Sequence, residues 1–432
     1  MKKKNTFKAL LSLTMAAVLS LGTAVTAFAG PPTPPATDGD NVKILKEVQM
    51  DNTLSIPSTG FTFQFQFTAK DFNGQAAAPT VVNDTSPMPT VTNTSITVNS
   101  TDKYNSASTE NLDVYRKEST NKIFDNVTWP APGAYTYTVK EVRPSGYTNA
   151  AAGETMTDDE TEYEVTAYVK NNDTYTGFVI ESIGVRTPGT TGTEGKIVVT
   201  PGLGTNQFKF TNIFSQMAGG TDPLLNASLT VSKKVADTAH GDKGQYFPFT
   251  ITPTAAGTET SSTRYNAYLI EEDSNGTKTV IPWDPNNNPE NYSTPADTNG
   301  EYIRVDPNDT NPMKIRLKHN QSVAFTGMGV GSKYVAEEDG VAHYVANIEL
   351  LTNGVSGSVS GTLATAANTQ IRTLGTATNS AAFTNTYDET TAITPTGIQA
   401  NDMPFLMMIV LAAVALGGYV VIRFRKKNSA EN

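Results

Sequence analysis

The chain has no cysteine. A disulfide framework, a thiolate metal site and a thiol nucleophile are therefore closed to it. Histidine is nearly as scarce: His240, His319 and His343 are the only three, too scattered to form a metal cluster by spacing. No metal or cofactor is expected. A G-x-S-x-G elbow, a phosphate-binding loop and a dinucleotide fingerprint are all missing, so no enzyme acting on an external substrate is expected. The acidic stretch Asp306 to Asn311 lacks the glycine and distal glutamate of a calcium loop and reads as a turn. The body of the chain also lacks any long segment of helical period.

What the chain does have begins at its two ends. Lys2, Lys3, Lys4 and Lys8 precede an apolar run from Ala9 to Leu21, and Ala27-Phe28-Ala29 follows. A basic start, a short apolar stretch and an A-x-A site predict a signal peptide over residues 1–29, since the run is short for a bilayer span. At the other end Ile393-Thr394-Pro395-Thr396-Gly397 precedes an apolar stretch from Met403 to Ile422, then Arg423, Arg425, Lys426 and Lys427. That stretch has the length of a transmembrane helix with a cytoplasmic basic end. The pentapeptide resembles a sortase sorting signal, with Ile393 in place of the usual Leu and the proline one place late, at Pro395. The resemblance implies that a sortase cysteine cuts between Thr396 and Gly397 and passes the threonyl group to an amine. Residues 393–427 would then be a sorting signal that attaches an exported chain to peptidoglycan on a Gram-positive cell.

Trimming both ends changes the charge. Residues 30–396 keep 24 of the 32 Lys+Arg and 40 of the 42 Asp+Glu, for a net of −16 in place of −10. Such acidity argues against nucleic acid or an anionic membrane surface as partners.

The body reads as all-β. Phe61, Phe63, Phe65 and Phe67 alternate on one face, as do Tyr163, Val165, Ala167 and Val169, and polar turn clusters lie between such runs. Many short strands with polar turns predict β-sandwiches. The body also repeats. Val42 to Val48 matches Leu229 to Val235, and Phe61 to Phe67 matches Phe247 to Ile251. Tyr135 to Glu141 matches Tyr334 to Glu338, and Phe210-Thr211-Asn212 matches Phe383-Thr384-Asn385. The repeat predicts two tandem domains, at 41–215 and 226–388, joined by a short linker from Gln216 to Asp222.

The strand period places polar residues on apolar faces. Side chains two apart share a face, so Lys46 lies with Val42, Ile44 and Val48, and Lys233 with Leu229, Val231 and Val235. Glu141 shares a face with Tyr135, Tyr137 and Val139, and Glu338 with Tyr334 and Ala336; Asn212 follows Phe208 and Phe210, and Asn385 follows Phe383. Glu337 and Lys234 are the neighbouring alternatives to Glu338 and Lys233. A lone buried lysine or glutamate costs several kcal/mol, so three such residues per domain, in one order, are better explained if they meet. Desolvation favours a neutral amine and a neutral acid. The amine can then attack the asparagine carbonyl while the acid shuttles protons, releasing ammonia and leaving an amide between lysine and asparagine.

At this point the chain resembles the FctA-type (T-antigen) backbone pilins of streptococci and relatives. The similarity covers nearly all of residues 41–388, most clearly Pro132 to Glu141, Leu317 to Phe325 and the two Phe-Thr-Asn segments. It implies tandem immunoglobulin-like (CnaB-like) domains with self-generated isopeptide bonds, formed by the triads Lys46–Glu141–Asn212 and Lys233–Glu338–Asn385. It further implies an acceptor lysine late in the first domain, for which Lys196 is the candidate; Lys117, in Val114-Tyr115-Arg116-Lys117, is the nearest match to the other acceptor motif of pilins. The partners implied are a sortase, neighbouring pilin subunits, peptidoglycan and a possible host surface ligand. A monomeric wall-anchored adhesin with the same domains is the alternative. The short spacer from Asp388 to Ala392 favours end-to-end stacking, because monomeric adhesins carry long flexible stalks.

Overall fold

The computed structural model describes residues 40–391 and 403–428, apart from 77–80, 83–85, 105–111, 144–146, 148–152, 191–193 and 288–300. Beyond two short 3-10 turns and the helix Met403–Asn428, the described elements are strands. Those up to Gln216 form sheets only with one another, and so do those from Leu229 onward. The expectation of an all-β chain with a single helix therefore holds.

In the first half, the strand Leu45–Asp51 lies between the parallel strand Lys209–Gln216 and the antiparallel strand Leu112–Glu118. Glu154–Thr157 extends this sheet beyond Lys209–Gln216. A second sheet centres on Gly133–Glu141, flanked by Phe61–Phe72 and Glu162–Asn171, with Phe178–Arg186 outside. The alternation in the sequence explains both faces. Phe61, Phe63, Phe65 and Phe67 are buried, while Thr62, Gln64 and Gln66 between them are exposed. The two sheets meet through these rings: Phe65 sits 4.9 Å from Phe210, and Phe61 sits 4.9 Å from Phe214, centroid to centroid. Aromatic burial of this kind dominates a core.

The second half repeats the plan. Leu229–Val235 lies between the parallel strand Ser380–Tyr387 and the antiparallel strand Gln321–Thr326. The facing sheet holds Phe247–Thr254 between Met313–Leu317 and Lys333–Glu338. Phe249 crosses to Phe383 edge-on at 5.0 Å. In each half, then, the first and last strands are parallel neighbours at the centre of one sheet.

The stretch expected as a linker is structured. Gln216 still belongs to the last strand of the first half, and Met217 forms an antiparallel bridge with Gly329. The amide of Ala218 donates to the Met328 carbonyl, and that of Val330 to the Gln216 carbonyl, both at 2.8 Å. The last strand of one half thus continues into an edge contact with the other, because backbone groups left by the strand find partners there. Beside this bridge Gly331 has φ +91°, and a β-carbon on it would fall 1.8 Å from Asp51 Oδ2. Only glycine fits such an approach.

Residues 1–29 and the pentapeptide Ile393–Gly397 lie outside the described residues. The helix covers the apolar stretch read from the sequence, and its described side chains, 407–423, are exposed. Among the described residues no helix is long and apolar enough to cross a membrane.

Candidate crosslinking sites

Lys46 occupies the second position of the first strand and faces the opposing sheet, where Glu141 ends Gly133–Glu141. Its ammonium donates to Glu141 Oε2 at 2.7 Å and to Asn212 Oδ1. Asn212 Nδ2 in turn donates to Glu141 Oε1 at 2.7 Å. All three side chains are buried, and the lysine nitrogen stands 4.3 Å from the Phe63 ring centroid. The residues predicted to meet in the first half do meet.

The second half brings the same three residue types together, but without a lysine-to-asparagine hydrogen bond among the described residues. Lys233 Nζ donates to both Glu338 oxygens, at 2.9 and 3.1 Å, and Asn385 Nδ2 donates to Glu338 Oε1 at 2.5 Å. Phe247 lies under the lysine nitrogen at 4.0 Å. Glu337 points outward and accepts from Asn368 Nδ2, and Lys234 is exposed. Glu338 and Lys233 are thus the inward members of their pairs.

Register accounts for the match. Lys46 pairs across the parallel ladder with Phe210, and Lys233 with Phe383. In both cases the asparagine lies two residues further on and on the same face. The lysine and the asparagine are diagonal neighbours on two strands separated by nearly the whole half in sequence, by 166 residues in the first.

The electrostatics suit bond formation. Burial lowers the Lys46 pKa against the opposing pull of Glu141, and burial lowers that of Lys233 to about 8. Burial likewise raises Glu141 and Glu338, against the pull of their lysines. Each pair is driven toward neutral amine and neutral acid, the protonation states that nucleophilic attack on a carboxamide requires.

Lys196 is exposed and bridges to Arg186. The chain after it turns back, with the Gln207 amide on the Val198 carbonyl, and enters the last strand beside Leu45. Asp51 and Gln216, at the opposite ends of those strands, are the residues that reach the second half. Lys196 therefore sits at the end of the first half remote from the second. Tyr387 ends the second half's last strand, whose parallel partner starts at Leu229 next to the junction. The chain accordingly leaves the second half at the end remote from the first. Lys117 lies in the strand Leu112–Glu118 and is paired with Asp102 at 3.0 Å.

Residues 42–215 match the family of Spy0128-like isopeptide-containing domains. That match covers the first half's described strands and leaves the second half outside it. The resemblance to FctA-type pilins read from the sequence holds there, while residues 227–387 match a different family, a domain of unknown function (DUF7601). No curated protein matches the chain. Among solved structures the chain is similar to the major pilin of Streptococcus pyogenes, at 20% identity and TM-score 0.30, over 81% of this chain and 99% of that one. A major pilin from another serotype of that species aligns at 16% identity and TM-score 0.27, over 82% and 100% of the two chains. A pilus-presented adhesin aligns at 15% identity and TM-score 0.22, over 52% and 37%.

Sequence reading missed two residues beside Asn212. Asp158 Oδ1 accepts from Asn212 Nδ2 at 3.2 Å, and the Asp159 amide donates to Asn212 Oδ1 at 3.1 Å. They follow Glu154–Thr157, which is antiparallel to the last strand with Thr157 opposite Ile213. The signal was present as two adjacent acids before Glu162–Asn171, but only the strand pairing brings them to Asn212. Also missed was Glu47, buried on the other face of the first strand, where it accepts from Arg116 Nε at 2.5 Å and Lys209 Nζ at 3.0 Å.

Proposed function

We propose that the chain is a backbone pilin subunit: exported, joined to copies of itself and to peptidoglycan by a sortase, and stiffened by an intramolecular Lys–Asn isopeptide bond in each domain. The observation that carries this reading is the pair of buried Lys–Glu–Asn sets at the same register between first and last strands. In each, the glutamate takes a proton from the lysine ammonium, the free amine attacks the asparagine Cγ, and ammonia leaves. The bond so formed cannot be reduced, which suits an exported chain that has no cysteine. Membership of the first half in an isopeptide-containing family supports the same chemistry there.

The direction of the chain supports assembly. Lys196 and the C-terminal exit lie at opposite ends of the two domains, so stacking one subunit on the next brings a threonyl donor at Thr396 toward the neighbour's Lys196. The signal peptide is gone from the mature chain. Pulling on such a stack enters the second domain by Leu229–Val235 and leaves by its parallel neighbour Ser380–Tyr387, so the Lys233–Asn385 crosslink takes the load there in place of the ladder hydrogen bonds. The net acidity keeps a densely displayed fibre soluble.

A wall extract boiled in detergent and probed with antibody to this protein tests assembly. A ladder of high-mass species is expected, lost in Thr396→Ala and collapsed to a single anchored band in Lys196→Ala. One discrete wall-linked band from the wild-type chain would instead favour the monomeric adhesin, and wall linkage unchanged in Thr396→Ala would refute the sorting signal.

A further inference from the structure

The two triads share three residues but differ in what surrounds the asparagine. In the first domain the carboxamide is held on both sides from outside the triad. Asp158 Oδ1 accepts from Nδ2 and the Asp159 amide donates to Oδ1. That turn is itself pinned, since Asp159 accepts from the Thr211 amide and, at 2.7 Å, from that of Thr161. Asp158 continues the ladder in which Thr157 opposes Ile213, so it stands opposite Asn212. In the second domain the residue opposite Asn385 is Ala346. There Asn385 Oδ1 is buried and has no hydrogen-bond partner among the described residues.

We propose that the Asp158 carboxylate and the Asp159 amide serve the first domain's crosslinking reaction as leaving-group acceptor and oxyanion donor, a provision the second domain lacks. The proposal rests on the isopeptide reading above and adds residues to it. The step balances as follows. Lys46 gives one proton to Glu141, and its lone pair attacks Asn212 Cγ. The carbonyl pair moves onto Oδ1, where the Asp159 N–H meets the developing charge. Glu141 returns the proton to Nδ2, and the Oδ1 pair re-forms the carbonyl as the Cγ–Nδ2 bond breaks with its electron pair on nitrogen. The surplus proton on Nζ passes to Glu141. Ammonia takes that proton from Glu141 and departs as ammonium beside the Asp158 carboxylate, which pairs with it. Asp158 also raises the Glu141 pKa by charge repulsion, after the larger effect of burial, and so favours the protonated acid. Asp158 and Asp159 oppose this in one respect, because both also favour the charged lysine. The net effect is set by their contacts with the two atoms that change most, Nδ2 and Oδ1.

The experiment uses the second domain as an internal clock. The full chain is made by cell-free synthesis, quenched in acid at intervals and digested, and the Lys46–Asn212 and Lys233–Asn385 crosslinked peptides are quantified by mass. The first crosslink is expected to form faster than the second. Asp158→Ala and Asp158→Asn should both slow the first by on the order of ten- to a hundred-fold and leave the second unchanged. Asp158→Glu should recover part of the rate. Asn at 158 can still accept a hydrogen bond from Nδ2 but cannot pair with ammonium, so a full rate in Asp158→Asn would overturn the charge role. A wild-type rate in Asp158→Ala would overturn the whole proposal. A wild-type chain that loses no ammonia from the first domain would instead refute the isopeptide reading itself.

Discussion

The first domain surrounds its asparagine with polar partners, and the second leaves one carboxamide oxygen buried with none among the described residues. The lysine-to-glutamate contacts are nevertheless alike, at 2.7 Å in one and 2.9 Å in the other. What is common to both domains is therefore what a crosslink needs: two parallel central strands, a lysine and an asparagine two residues apart in register, and a glutamate on the facing sheet. What differs is adjustable. An unpartnered buried carbonyl costs roughly 1–3 kcal/mol, a cost that falls on Asn385 and is spared Asn212 by its neighbours. The same triad is thus built with support from outside it in one domain and without that support in the other.

The comparison is broken most severely by removing one crosslink at a time. By the loop-closure argument each bond contributes roughly 5 kcal/mol, of the order of a whole domain's net stability. Asn212→Ala should therefore lower the first domain's melting temperature by about 10–20 °C. Trypsin should then cut the first domain and spare residues 226–388, with Asn385→Ala showing the converse. Calorimetry and limited digestion check both; identical melting in mutants and wild type would leave the triads as ordinary buried ion pairs.

A second expectation concerns mass. The intact chain should fall short of its sequence mass by two ammonia molecules, Glu141→Ala should restore one and Glu338→Ala the other. A full mass for the wild type would remove the crosslinks from both domains at once.

The pH response of an uncrosslinked second domain is a smaller effect. In the unfolded chain Lys233 holds its proton up to about 10.5, but in the fold only up to about 8. Between those values the unfolded state binds more protons, so stability should rise with pH across that window and gain nothing more above it. Urea midpoints of Asn385→Ala measured at the two ends of the window test this; a midpoint that falls as pH rises would contradict it. The smallest expected effect is that of Gly331→Ala, which should leave both crosslinks and both melting transitions in place but shift the angle between domains in small-angle scattering. Unchanged scattering would mean that Asp51 yields instead.

Period-two alternation made much of this fold legible. It put Lys46, Lys233, Glu141, Glu338, Asn212 and Asn385 on inward faces, and it separated Lys233 from Lys234 and Glu338 from Glu337 by parity alone. Alternation is a local property, so it could place a side chain on a face but not choose its neighbour across the ladder. Asp158 escaped for that reason: its role comes from standing opposite Asn212, a relation between segments far apart in the chain. Glu47 escaped because the first strand is covered on both faces, by Arg116 and Lys209 on the second, where alternation suggests solvent. Glycines at 219 and 220 mark the loop between the halves, whereas Gln216 and Ala218 just before them are held by backbone bonds to Val330 and Met328 that no composition signals.

That junction has a consequence for the assembled object. Gly331 lies so close to Asp51 that a β-carbon there would collide with the carboxylate, and the Met217–Gly329 bridge joins the two halves beside it. In a filament of such subunits every copy would therefore add the same azimuthal step to the one below it. The helical pitch of the whole fibre, and its resistance to torsion, would then be set in part by a residue that has no side chain.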